Sequence, residues 1–114
     1  MKDNELFEYV KRIRDELEAV YNGTTDELNE DGEPETMYDY FSDPLDYEYT
    51  INSRGEYIGV RVYITLGGPN VWVDTRRGEI AGAWGTDRAD IWLPSEIAEE
   101  IDNIFSEYYE MTRS

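Results

Sequence analysis

Residues 57–75 read Tyr-Ile-Gly-Val-Arg-Val-Tyr-Ile-Thr-Leu-Gly-Gly-Pro-Asn-Val-Trp-Val-Asp-Thr, and this stretch decides the fold. Ile58, Val60, Val62, Ile64 and Leu66 alternate with Tyr57, Gly59, Arg61, Tyr63 and Thr65. A period of two belongs to a strand with one buried face, because successive side chains point to opposite sides of the pleat. Gly67, Gly68, Pro69 and Asn70 break the run. Glycine tolerates positive φ, and proline neither extends a helix nor donates to a ladder. A second strand is expected to fold back over residues 71–75. The stretch holds no nucleophile–base pair, phosphate loop or metal cluster, so the hairpin is read as scaffold.

Working outward, Tyr47, Tyr49 and Ile51 alternate with Glu48, Thr50 and Asn52 as a preceding strand, and Ser53-Arg54-Gly55 turns it into the central one. On the other side, Arg76-Arg77-Gly78 leads to a strand over residues 79–84, where Gly82 and Gly85 mark a bulge or a close approach of other backbone. Residues 89–93 are expected as a short fifth strand or an extended connection carrying Trp92. Beyond the strands lie two helical stripes. Leu6, Val10, Ile13, Leu17 and Val20 recur at steps of four and three, with Phe7 and Tyr21 expected to widen the stripe. Asp3 or Asn4 is a candidate N-cap, and Gly23 a left-handed terminator. Pro94-Ser95 starts the last helix, Ser95 capping it, and Ile97, Ile101, Ile104, Phe105 and Tyr108 form its apolar face. The fold class is therefore α+β: an antiparallel meander of four to five strands flanked by an N-terminal and a C-terminal helix, α-β(4-5)-α, packed on one face. Residues 1–114 form a single domain.

Between Asn22 and Ser53 there is no Lys or Arg, while Asp26, Glu27, Glu30, Asp31, Glu33, Glu35, Asp39, Asp43, Asp46 and Glu48 are all acidic. An acidic loop or arm is thus expected at about 24–46. Residues 24–35 read as a loop or mobile arm turning at Asp31-Gly32. Thr36 is placed to cap a short helical turn that docks Met37, Tyr40 and Phe41 on the core, and Asp43-Pro44 closes it.

At 114 residues the chain can bury one core but not two. It has no cysteine, hence no disulfide or thiolate metal site, and no histidine, the commonest acid–base group and metal ligand. No apolar run approaches the ~18 residues needed to span a bilayer, and the first seven residues lack the apolar core of a signal peptide. The expectation is a cytoplasmic protein without a membrane partner. The 27 acids against 10 bases give a net charge of −17. Disordered acidic tails are poor in aromatic residues. This chain has 10 Tyr, 3 Trp and 3 Phe, enough for a core, so its acids should decorate a folded surface. Such a surface repels nucleic acid and anionic membranes and attracts basic partners.

So many acids raise the question of a metal or catalytic site. With Gly32 at the sixth position of a calcium loop, Glu27, Asn29 and Asp31 fall at one, three and five, but Tyr38 stands at twelve, where a bidentate Glu is required. No metal and no cofactor are expected. Nucleophile triads lack their His or Cys, and a pair of glycosidase-like carboxylates would need a substrate cleft. Asp74 reads as a surface carboxylate paired with Arg76 or Arg61 rather than a pocket acid. The aromatic residues are interleaved with acids, unlike a nucleic-acid stacking platform. The chain is expected not to be an enzyme.

The charge itself remains. A globule of this length has a radius of gyration near ~13 Å and a diameter of roughly 35 Å. Duplex DNA carries about 20 phosphates over that distance. The Asp39-Tyr40-Phe41 and Gly55-Glu56-Tyr57 runs, the segment Gly-Gly-Pro-Asn-Val-Trp-Val-Asp-Thr at 67–75 and the Glu-Ile-Asp-x-x-Phe pattern from Glu100 together resemble small acidic proteins of plasmids, conjugative elements and phages of Gram-positive gut bacteria. In size, acidity and element order the chain is also similar in kind to anti-CRISPR and anti-restriction proteins, several of which mimic DNA. What this resemblance implies is an inhibitor of a bacterial defence nuclease, Cas9-type most plausible, that contacts a basic nucleic-acid-binding protein and not nucleic acid itself. The expected contact residues are Asp26, Glu27, Glu30, Asp31, Glu33, Glu35, Asp39, Asp43 and Asp46 of the arm, with Glu96, Glu99, Glu100 and Glu107 of the last helix. The alternative is an acidic, protein-binding regulatory module of a mobile element without DNA mimicry.

Overall fold

The computed structural model describes residues 3–113, and the side chains of residues 5–112. Helix α1 (Asp3–Asn22) is followed by the short α2 (Met37–Tyr40). Five strands come next, β1 (Asp46–Ile51), β2 (Tyr57–Thr65), β3 (Asn70–Asp74), β4 (Glu79–Trp84) and β5 (Asp87–Trp92), and then α3 (Ser95–Arg113). The strands form one antiparallel sheet in the order β1-β2-β3-β4-β5, as a meander, and the arrangement is α-β5-α. The capping role expected of Asp3 or Asn4 concerns side chains outside those described. Among the described residues no helix is long and apolar enough to cross a membrane.

Both long helices cover one face of the sheet, α1 over β4 and β5, and α3 over β2. Leu6, Val10, Ile13, Leu17 and Val20 of α1 are buried together with Val60, Val62, Val71, Val73 and Ile80 of the sheet and Ile97, Ile101, Ile104 and Phe105 of α3. Each such aliphatic burial contributes ~1.5–3 kcal/mol, so this stripe-on-sheet contact is the main source of stability. Phe7 and Tyr21 do not widen the α1 stripe, since both are exposed. Tyr9, three residues after Leu6 and four before Ile13, packs at its edge instead. Gly82 lies where α1 approaches β4 most closely: a Cβ there would stand 2.8 Å from Val10 Cγ2 and 3.2 Å from Leu6 Cδ1. Gly85, at φ +60°, makes the tight turn into β5.

The central strand departs from strict alternation. Register slips occur between Thr50 and Ile51 against β2, and between Tyr63 and Thr65 against β3. An extra residue in one strand of a pair shifts everything beyond it to the other face. Val60 and Val62 are fully buried as expected, but Leu66 is 47% exposed. Tyr57, expected on the outer face, sends its hydroxyl to Asp102 of α3 at 2.6 Å and so lies on the helix side. At α3 the first helical hydrogen bonds, from the Ile97 and Ala98 N–H groups, are accepted by the Pro94 carbonyl. Pro94 therefore takes the cap position expected for Ser95, which belongs to the first turn.

Candidate functional site

The acidic arm is a hairpin pinned by hydrogen bonds, and Asn29 is its centre. The Asn29 side-chain oxygen accepts the N–H groups of Asp31 at 2.9 Å and Glu33 at 3.1 Å. Its backbone N–H donates to the Glu33 carbonyl at 2.8 Å, and its carbonyl accepts from Gly32 at 3.0 Å. Leu28 and Pro34 form a β-bridge, and the Glu35 N–H donates to the Glu27 carbonyl at 2.9 Å. Asn29 Nδ2 then donates to Asp39 Oδ2 at 3.1 Å, which fastens the hairpin to α2. There Thr36 and Asp39 form a reciprocal capping box, as the spacing predicts for Thr36. Met37 and Phe41 are buried beneath it, anchoring the arm to the core.

These contacts set the electrostatics. The Thr36 N–H, then the Asn29 amide and the Thr36 hydroxyl, hold the Asp39 carboxyl below the usual aspartate range. Glu35 moves the other way: partial burial, then the charges of Glu27, Asp39 and Glu16, push it up. Glu35 stands at the crossing of the arm with α1. A groove of ≈ 550 Å³ is lined there by Asp15, Glu16, Asp26, Glu27, Glu35 and Tyr40, with Arg12 at its side.

Of the contact residues expected from the sequence, Asp26, Glu27, Glu30, Asp31, Glu33, Asp43, Asp46, Glu96, Glu99 and Glu107 are exposed, while Glu35, Asp39 and Glu100 are half-buried. Two blocks distant in sequence meet through α2. The Tyr38 hydroxyl donates to Glu107 Oε2 at 3.2 Å, and Glu100 lines a second groove with Glu35, Met37 and Tyr38. Asp43 flanks the Glu35 side of the molecule near Tyr40 and Phe41, and Asp46 opens edge strand β1. Among the described residues, neither the hydrogen bonds nor the grooves of the arm reach Glu96 or Glu99. Sequence reasoning did not place Asp15 and Glu16 at the arm, because beside Lys11, Arg12 and Arg14 they read as ion-pair partners along α1. Arg14 does pair with Asp15 and Glu18, while Glu16, with Asp15, lines the arm groove. The i,i+4 spacing of Arg14 and Glu18 was the available signal.

The opposite face of the sheet is open. Glu48, Arg61, Asp74, Glu79 and Trp92 stand in one cross-strand row, and Asp46, Tyr63, Trp72, Ala81 and Asp90 in the next. Asp74 pairs with Arg61 at 3.2 Å, as one of the expected partners, but it is only 6% exposed rather than a surface carboxylate. Its other oxygen accepts the Arg77 N–H at 2.9 Å. The guanidinium groups of Arg61 and Arg88 lie over the Trp72 ring at 5.2 and 5.6 Å and shelter it from water. Trp92, by contrast, is 69% exposed. Among the described residues no group of three acidic side chains could hold a metal ion.

The molecule measures 45 × 39 × 25 Å, longer than the spherical estimate. Spread along the long axis, −17 amounts to roughly one charge per 2.6 Å, against ~1.7 Å for duplex DNA. No protein-family model matches the chain, and no curated protein or solved structure matches it, so the chemistry of the surface is argued from geometry alone.

Proposed function

We propose that the chain is a non-enzymatic inhibitor that occupies the basic nucleic-acid groove of a bacterial defence nuclease as an acidic DNA mimic, with a CRISPR effector of the Cas9 kind as the target class. The observation that carries this reading is the junction at Tyr38, where the arm and α3 become one acidic surface. Carboxylates on such a surface stand where phosphates would face Lys and Arg, and they release counterions as DNA does. A pinned arm also pays less ordering entropy on binding than a mobile one. The average charge spacing is wider than that of a duplex, so the fit is to a segment of a groove and depends on the acids being gathered on the helix side.

Binding to the nuclease is expected to weaken steeply between about 0.05 and 0.5 M salt, where the Debye length falls from ~14 to ~4 Å. Salt-independent binding rules out charge mimicry. A second reading, an acidic regulatory module that binds a basic protein without mimicry, is favoured by Trp92, a large exposed side chain on a face that mimicry leaves unused. Competition separates the two: a mimic excludes nucleic acid from its partner, and a module leaves it bound.

A further inference from the structure

We infer that the groove between the last turn of α1, the start of α2 and the middle of α3 takes the side chain of an arginine presented by the basic partner. The inference rests on the reading above and names the point where the energy of the acidic surface concentrates. The groove, of ≈ 470 Å³, is lined by Val20, Tyr21, Glu35, Met37, Tyr38 and Glu100, among others. Val20 and Met37 are buried and supply an apolar floor. Tyr21 and Tyr38 are 41% and 46% exposed, two large rings from different helices left open at one groove. Among the described residues neither Glu35 nor Glu100 has a Lys or Arg partner.

The backbone adds to this field. Helix α1 ends at the groove, and its last turn contains no basic residue, so no side-chain cation offsets the negative end of its dipole there. Desolvation first, then Glu107 and Glu100, push the Tyr38 hydroxyl above the ordinary tyrosine range.

An arginine side chain meets each of these features. Its methylene stem lies on the apolar floor, its planar and weakly hydrated guanidinium stacks on a tyrosine ring, and its forked donors match carboxylate oxygens. A lysine ammonium is a more strongly hydrated point charge and gives up the stacking and the fork. A neutral apolar side chain would desolvate Glu35 and Glu100 without a partner, and an anion would be repelled by both. Anchors of this kind, an arginine in an aromatic pocket ringed by weaker contacts, dominate many interfaces.

The test is a heteronuclear NMR titration of the full chain with a capped Gly-Arg-Gly tripeptide and with its Gly-Lys-Gly counterpart. Saturable shifts confined to the amides of Tyr21, Gly23, Met37, Tyr38 and Glu100 are expected with the arginine peptide. They should weaken about tenfold or more in Tyr38→Ala and in Glu100→Gln. Tyr38→Phe, which keeps the ring but loses the hydroxyl bonded to Glu107, should retain binding. Equal binding of the lysine peptide, unsaturable shifts spread over all acidic residues, or an unchanged Tyr38→Ala overturns the inference. Because the peptides involve no nuclease, the two readings fail separately. A failed titration beside salt-sensitive nucleic-acid competition removes the groove alone, and a successful titration without competition removes the mimicry and leaves the groove.

Discussion

The side-chain amide of Asn29 donates to Oδ2 of Asp39 at 3.1 Å, ten residues further on, while the Asn29 carbonyl oxygen of the same amide holds the N–H groups of Asp31 and Glu33. One amide thereby closes the acidic hairpin and ties it to α2. Asn29→Ala should accelerate hydrogen exchange at Asp31 and Glu33 and lower global stability by only ~1 kcal/mol, because the core is untouched. Protected amides at both positions in the variant would show that something else holds the hairpin.

Asp39 and Glu35 give opposite pH dependences. Asp39, whose carboxyl is depressed by the Thr36 N–H first, contributes stability that is present above its unfolded pKa and lost as pH falls through the folded one. Glu35 is raised, chiefly by burial, so its contribution is present below the unfolded pKa and lost as pH rises through the folded one. Denaturant melts at several acidic pH values should show Asp39→Asn flattening the acid-side loss and Glu35→Gln removing a gain. Shifts of the same sign in both variants would mean that Asp39 and Glu35 do not sit in the opposite environments described.

At Gly82 the structure leaves no room for a methyl group. Gly82→Ala places Cβ 2.8 Å from Val10 Cγ2, and the overpacking should cost about 1–3 kcal/mol by urea unfolding. Val10→Ala in the same chain should recover part of that loss, since contacting residues are not additive. Two fully additive losses would mean that α1 does not meet β4 at this point.

On the open face, Arg61→Ala should remove half of the cover over Trp72 and shift its emission to longer wavelength. Asp74→Ala should cost about 1–3 kcal/mol, because it strands the Arg77 N–H and the Arg61 guanidinium. Trp84 and Trp92, both exposed, should report neither change, so Trp84→Phe with Trp92→Phe in the background isolates the signal.

For the acidic surface, neutralising Asp26, Glu27, Glu30, Asp31, Glu33 and Glu35 together to Asn or Gln should abolish inhibition and leave the fold equally or more stable, as exposed like charges repel. Val62→Asp, which buries an unpaired charge in the core, should unfold the domain and serves as the contrast. If the neutralised arm inhibits like the parent, Glu100 and Glu107 of α3 are next. Full activity with both blocks neutralised would sink the mimic proposal.

The elements themselves were legible in local pattern. The apolar stripe of α1 from Leu6 to Val20, the face of α3 from Ile97 to Phe105, the bounds of β4, the cap at Thr36 and the close approach at Gly82 all follow from spacing and backbone sterics within a few residues. Those features are local because helix and strand periods are set by the dihedrals of neighbouring residues. What lay outside that reach needed contacts distant in sequence. Bulges in β2 moved Tyr57 to the helix side, where Asp102, 45 residues later, receives its hydroxyl. The burial of Asp74 required Arg61 on the neighbouring strand. The joining of the acidic blocks required Tyr38 to reach Glu107, 69 residues away. Composition alone determined that this is a highly acidic, aromatic-rich chain. Tertiary structure decided which acids share a surface, because helices related by no local period are brought together only by packing on a common sheet.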